Sequence, residues 1–134
     1  MTILALDHVT VRTSKLEESR DFYVDVVGLS VGSRPSFKFP GYWLYVNEHP
    51  VLHLFDEDDD GNLAKYMGSR ETSGVGAVDH VALRCTGIDE FRERFAAQSV
   101  EVLERTVPEL GQHQIFLKDP NGVTVELIFA ADGN

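Results

Sequence analysis

The chain has 134 residues, 43% of them hydrophobic and 25% charged, which is ordinary usage for one folded domain rather than a disordered segment. Twelve Lys and Arg against 22 Asp and Glu leave a formal charge of −10, which excludes the cationic footprint that nucleic acid or an anionic membrane requires. One cysteine supports neither an internal disulfide nor a Cys-based zinc site, and no apolar run reaches the ~18 residues of a membrane span. With no basic, signal-like N-terminus, a cytoplasmic location is the expectation.

Taken in chain order, the first stretch, Leu6-Asp7-His8-Val9-Thr10-Val11-Arg12, is Val-rich and alternates in character, so it reads as a strand. Ser14-x-x-Glu17 then reads as a capping box opening a helix on which Leu16, Tyr23, Val26 and Val27 recur at helical spacing, with Ser19 between them. Gly28 closes it. Short strands follow around Val31, at Trp43–Val46 and at Val51–Phe55. Pro35 to Gly41 reads as a loop or edge segment whose Phe37 and Phe39 serve core packing or a site wall. The run Asp56-Glu57-Asp58-Asp59-Asp60-Gly61 lacks EF-hand spacing and reads as the start of a solvated acidic linker.

The pattern then repeats. Val78-Asp79-His80-Val81-Ala82-Leu83-Arg84 aligns with the first strand at an offset of 72. The offset also carries Ser14 to Thr86, Leu16 to Ile88 and Tyr23 to Phe95. Thr86-x-x-Asp89 is a weaker capping box, and Ile88, Phe91 and Phe95 mark the buried stripe of a second helix. Strands are expected around Val100–Leu103, at His113–Lys118 and at Val123–Phe129, the last two joined by the turn Asp119-Pro120-Asn121-Gly122. The expectation is a single α+β domain of two tandem βαβββ modules, 5–56 and 77–131, around the linker 57–76.

Side chains alternate along a strand, so parity sorts them into two faces. Val9, Val11, Leu52, Leu54, Val81, Leu83, Cys85, Val125, Leu127 and Phe129 form an apolar face for the helices to cover, which makes Cys85 a buried, inert thiol. The other face carries His8, Thr10, Arg12, His53, His80, Arg84 and Glu126. A solvated sheet surface favours Lys, Glu and Thr, not three of the chain's five histidines. His8 and His80 are repeat equivalents, and His53 and Glu126 become so if the second hairpin turn holds one extra residue. Three imidazoles and a carboxylate suit one divalent ion of Zn, Ni, Fe, Co or Mn. Arg12 and Arg84, each four residues after its histidine, share the same face, and a guanidinium there grips a carboxylate or phosphate. A salt bridge to one of the 22 acids is the competing role for both. Trp43, Tyr45 and His113 are the remaining candidates to line the site.

The chain resembles the vicinal oxygen chelate superfamily, which includes glyoxalase I, fosfomycin-resistance and bleomycin-resistance proteins, extradiol dioxygenases and methylmalonyl-CoA epimerase. The resemblance rests on Asp7-His8-Val9, Phe22-Tyr23 with Gly28-Leu29, Val78-Asp79-His80-Val81-Ala82, and Asp119 through Leu127. It implies two βαβββ modules forming a partly closed sheet around a cleft, with His8, His53, His80 and Glu126 as metal ligands. The implied chemistry is Lewis-acid activation of a small substrate with adjacent oxygens, of the lyase, isomerase or epimerase kind. His53 and Glu126 are the implied proton carriers, and Arg12 the implied contact to an anionic substrate end. His53 departs from glyoxalase I, which has a carboxylate at that position. The resemblance also implies a homodimer. The alternatives are a metal-free, ligand-sequestering protein of the bleomycin-resistance type, a single-domain dioxygenase and a fosfomycin-resistance-like transferase.

Overall fold

A computed structural model describes residues 1–57, 60–69, 74–76 and 78–132. The chain runs β1 (Val9–Thr13), α1 (Leu16–Asp21), β2 (Ser30–Gly32), β3 (Gly41–Val46), β4 (His49–Asp56), α2 (Asn62–Met67), β5 (His80–Arg84), α3 (Ile88–Ala97), β6 (Leu103–Val107), β7 (Gln112–Lys118) and β8 (Thr124–Ala130). It divides into two compact units, one of Met1–Val24 with Gly28–Thr72 and one of Asp25–Val27 with Ser73–Asn134. Each unit holds an open four-stranded sheet, in the order β1-β4-β3-β2 and β5-β8-β7-β6. In each, the first strand pairs in parallel with the last, and the remaining pairs are antiparallel. A parallel pair needs a long crossover, and the helix after the first strand lies within it. The α+β, twice-βαβββ architecture therefore stands.

The apolar faces are covered as parity predicts. In the first unit Leu52, Leu54 and Val11 are buried, and so are Leu16, Ser19 and Tyr23 of the helix. Thr13 and Ser19, both fully buried, share a hydroxyl–hydroxyl hydrogen bond of 3.3 Å between β1 and α1. In the second unit Val125, Leu127 and Phe129 are buried, and Phe91 of α3 meets Phe129 edge-on with ring centroids 5.4 Å apart.

Several local expectations change. The capping boxes do not form. Lys15 precedes the first helical residue, and no side chain caps the helix. Thr13 Oγ1 accepts the Lys15 N–H at 2.8 Å, while the Glu17 carboxylate accepts from the Tyr42 hydroxyl at 2.9 Å and pairs with Arg20 at 2.7 Å. A β3 tyrosine and an arginine one turn along the helix thus take the acid that the box would have used. The second helix begins after Gly87, whose φ of 77° makes it a left-handed entry residue, and Thr86 and Asp89 provide no cap. The first helix continues from Asp21 into π-helical turns over Phe22–Val27, which end at Gly28 with φ 100°. Both Gly28 N–H and Leu29 N–H donate to the Tyr23 carbonyl, a closure that needs the left-handed backbone glycine adopts without strain.

β1 starts at Val9, so His8 stands just before the paired strand. The sixth strand is Leu103–Val107, beginning where Val100–Leu103 was expected to end. The linker 57–76 contains the helix α2, whose Leu63 is fully buried in a cluster with Phe39 and Phe55. Phe37 packs against that cluster, so both loop phenylalanines serve packing. Asp58, Asp59 and residues 70–73 of that linker lie outside the described residues. In the second hairpin, Asp119 Oδ1 accepts the N–H groups of Asn121 and Val123, each at 2.8 Å, which holds the turn.

Candidate metal centre

The parallel ladders fix the site register. Thr10 pairs with His53 in the first unit, and Ala82 pairs with Glu126 in the second. Thr10 and Ala82 are repeat equivalents at the offset of 72, so His53 and Glu126 occupy matching places. The one-residue shift is present but not in the hairpin turn: Trp43 pairs with His53 and Phe116 with Glu126 across equal spans, so the extra residue precedes β7.

In the first unit His8 and His53 stack, with ring centroids 3.9 Å apart and planes 13° from parallel. Trp43, opposite His53 in the ladder, stacks on its other side at 4.1 Å and 10°. His53 is buried, and among the described residues its Nε2 and the indole Nε1 of Trp43 have no hydrogen-bond partner. Burial, and then the neighbouring His8, holds the His53 imidazole towards its neutral form, the form that ligates a metal. Asp7 Oδ2 lies 2.7 Å from His8 Nδ1. That contact leaves the other ring nitrogen, Nε2, as the one not engaged by Asp7.

The second unit repeats the device. Asp79 Oδ1 lies 2.8 Å from His80 Nδ1, and Glu126 Oε2 lies 2.9 Å from His80 Nε2. The hydrogen bond that His80 donates to Asp79, with Glu126 contributing, raises the His80 pKa above its usual value. Glu126 is nearly buried, while His80 is over one-third exposed. Two ligand atoms ~2.1 Å from one metal and at right angles about it stand about 3 Å apart, so the His80–Glu126 spacing fits a pair of adjacent ligands. The orphaned, buried Nε2 of His53 fits a ligand role as well. Among the described residues no three His, Cys, Asp or Glu side chains form a metal-ready cluster. The four candidates come as two pairs, one in each unit.

The other candidates divide. Arg12 is almost fully buried and ion-paired through Nε with Glu57, the salt-bridge role that competed with substrate binding. Its Nη1 and Nη2 have no acceptor among the described residues. Arg84 lies exposed on the Glu126 face, in register with Ile128, and makes no ion pair among the described residues. Tyr45 donates its hydroxyl to the Ser33 carbonyl at 2.6 Å and so braces the edge of β2. His113 is a correction. It pairs with Phe129 in the ladder and so shares the helix-covered face, whereas Glu126 pairs with Phe116 on the other face. Its ring is occupied by Glu104 at 2.7 Å and Thr106 at 3.0 Å.

Residues that parity alone did not select are Asp7 and Asp79, whose signal is the Asp-His dipeptide at both copies of the repeat. Phe116, Gln114 and Arg105 were also missed. Pairing β7 with β8 and β6 with β7 places them on the Glu126 face. Cys85 Sγ lies 3.6 Å from the Leu83 carbonyl oxygen, and burial pushes the thiol pKa up to about 11, which leaves it protonated and inert near neutrality.

Two βαβββ units, each presenting a histidine beside a second ligand-type side chain, define a paired-module α+β protein with a candidate metal centre. Residues 5–127 match the model of the Glyoxalase/Bleomycin resistance protein/Dioxygenase superfamily, and the chain belongs to that superfamily. It is 25% identical over 146 residues to a lactoylglutathione lyase of Pseudomonas putida, covering 91% of this chain and 83% of the relative. It is 32% identical over 136 residues to a mitochondrial methylmalonyl-CoA epimerase of Dictyostelium discoideum, covering 91% and 76%. Its fold is similar to the crystal structure of a lactoylglutathione lyase from Agrobacterium tumefaciens, with a TM-score of 0.65 at 22% identity over 93% of this chain and 92% of that one. No helix among the described residues is long and apolar enough to cross a membrane.

Proposed function

We propose that the protein is a metal-dependent lyase, isomerase or epimerase acting on a small substrate with two adjacent oxygens, and that His8, His53, His80 and Glu126 are its metal ligands. The observation that carries this reading is the second-unit pair. A nearly buried carboxylate abuts an imidazole nitrogen whose partner nitrogen is held by a second carboxylate. An ordinary solvated sheet face has no reason to build that chain of contacts.

A bound divalent metal supplies Lewis-acid stabilisation of the charge that develops on the substrate oxygens. The chain's own residues supply the rest. Asp7 and Asp79 orient the two histidines. Glu126, shielded from water on its sheet face, carries a proton to or from the substrate carbon. His53, kept neutral between two rings, would serve as the second base when its Nε2 is not ligating the metal. Two proton carriers at equivalent places suit isomerisation or epimerisation, in which one group removes a proton and another returns it. The names of the two relatives favour the same chemistry.

Acetohydroxamate, a neutral molecule with two adjacent oxygens, tests the reading by calorimetry. The metal-loaded protein binds it with 1:1 stoichiometry, and the metal-free protein does not. Trp43 is the only tryptophan and stacks on His53, so its emission changes with binding. Equal binding with and without metal would instead support the metal-free, sequestering alternative.

A further inference from the structure

Beyond the ligand pair, the second unit carries an arginine that neither the repeat nor parity had marked. Arg105 on β6 pairs with Gln114 on β7, and Gln114 pairs with Ile128, two residues along β8 from Glu126. Arg105 therefore shares the Glu126 face. Its Nε donates to Gln114 Oε1 at 2.7 Å, and its Cζ lies 4.9 Å from the Phe116 ring centroid. Phe116 is the cross-strand partner of Glu126, and its ring centroid lies 6.2 Å from that of His80. One aromatic ring thus separates the guanidinium from the candidate ligand pair.

The side chain is held but not neutralised. Arg105 is exposed and has no ion pair with a carboxylate among the described residues. Glu104, its neighbour on the strand, faces the other way and is taken by Arg92 at 2.9 Å and His113 at 2.7 Å. The first unit shows the contrasting use of the same place. Continuing the β2–β3 register two residues past Gly32 and Trp43 sets Arg34 opposite Gly41, the counterpart of Arg105 opposite Gln114. Arg34, however, donates to the Phe39 carbonyl and lies over Phe37 and Phe39, which commits it to its own loop. Of this equivalent pair, Arg105 is the one left without a carboxylate or loop contact among the described residues.

We infer that Arg105 is a specificity-determining residue that grips a carboxylate on the substrate, a few bonds from the two adjacent oxygens. The inference rests on the metal-dependent reading above. A guanidinium fixed by Gln114 and Phe116, on a face that already holds Glu126, suits a singly charged carboxylate better than a phosphate dianion. Gln114 and Phe116 restrain the fork, so little side-chain entropy is lost on binding.

The test compares two probes on metal-loaded protein by calorimetry. Acetohydroxamate has the adjacent oxygens alone, and succinate monohydroxamate adds a carboxylate two methylenes away. The wild-type protein is expected to bind the succinate derivative at least about tenfold more tightly. Arg105→Gln abolishes that preference, with acetohydroxamate affinity and thermal unfolding unchanged, and Arg105→Lys restores only part of it. A preference that survives in Arg105→Gln, or that is absent from the wild type while acetohydroxamate binds, overturns the inference alone. If neither probe binds the metal-loaded protein, the parent reading and the role of Arg105 fall together.

Discussion

Phe129→Ala lowers the stability of the protein by about 3–5 kcal/mol, measured by denaturant or thermal unfolding. The side chain is fully buried near the C-terminal end of β8, and its ring meets Phe91 of α3. Truncation removes most of an aromatic side chain from water-free surroundings and leaves a cavity that the sheet backbone cannot fill. The effect exceeds that of any surface change nearby. Arg92→Ala, on the same helix, breaks exposed ion pairs with Asp89 and Glu104 and changes stability by less than about 1 kcal/mol. A Phe129→Ala effect as small as that of Arg92→Ala would mean that α3 does not seat on this sheet as described.

Asp79→Asn weakens metal binding about 10–100-fold, the usual consequence of removing the group that orients a ligating histidine. The carboxylate 2.8 Å from Nδ1 fixes the tautomer that leaves Nε2 towards Glu126, and it makes the ring a stronger donor. Removing it also lowers the His80 pKa, because Asp79 is the largest cause of its rise. That second effect works in the opposite direction, since an imidazole that loses its proton more easily competes less with the metal. Titration against a chromophoric chelator at alkaline pH, where the histidine is neutral in either variant, isolates the orienting effect. Nitrogen chemical shifts of the imidazole in the metal-free protein should move towards the Nε2–H tautomer in Asp79→Asn, because Glu126 is then the one carboxylate still accepting from the ring. Asp7→Asn should do the same at His8. Unchanged affinity and tautomer would reduce the two Asp-His contacts to incidental neighbours.

Much of this was legible in the amino-acid sequence because strand parity is a strict rule. Val11, Leu54, Leu127 and Phe129 are buried beneath helices, while His53 and Glu126 share faces with Thr10 and Ala82, as alternation requires. The repeat supplied the equivalence of His53 with Glu126, and the parallel ladders reproduce it. What depended on tertiary partners was not legible. Glu17 cannot both cap a helix and receive the Tyr42 hydroxyl, and nothing local says that a tyrosine 25 residues away wins. His113 was misplaced because its face depends on pairing with Phe129 rather than on its residue type. Arg12 and Arg84 look alike in the repeat, yet Glu57 from the start of the linker takes only the first. Arg105 was invisible because β6 begins later than its flanking residues suggest, so its parity had no anchor.

The measurement that tests the central claim most directly is metal content and metal titration of the intact protein purified without added metal, beside His8→Ala and Glu126→Ala. The account predicts one tightly bound divalent ion per chain in the wild type, with affinity lost in both variants while their thermal unfolding shows a folded protein. A wild-type protein that neither carries a divalent metal nor binds one tightly on titration would contradict it.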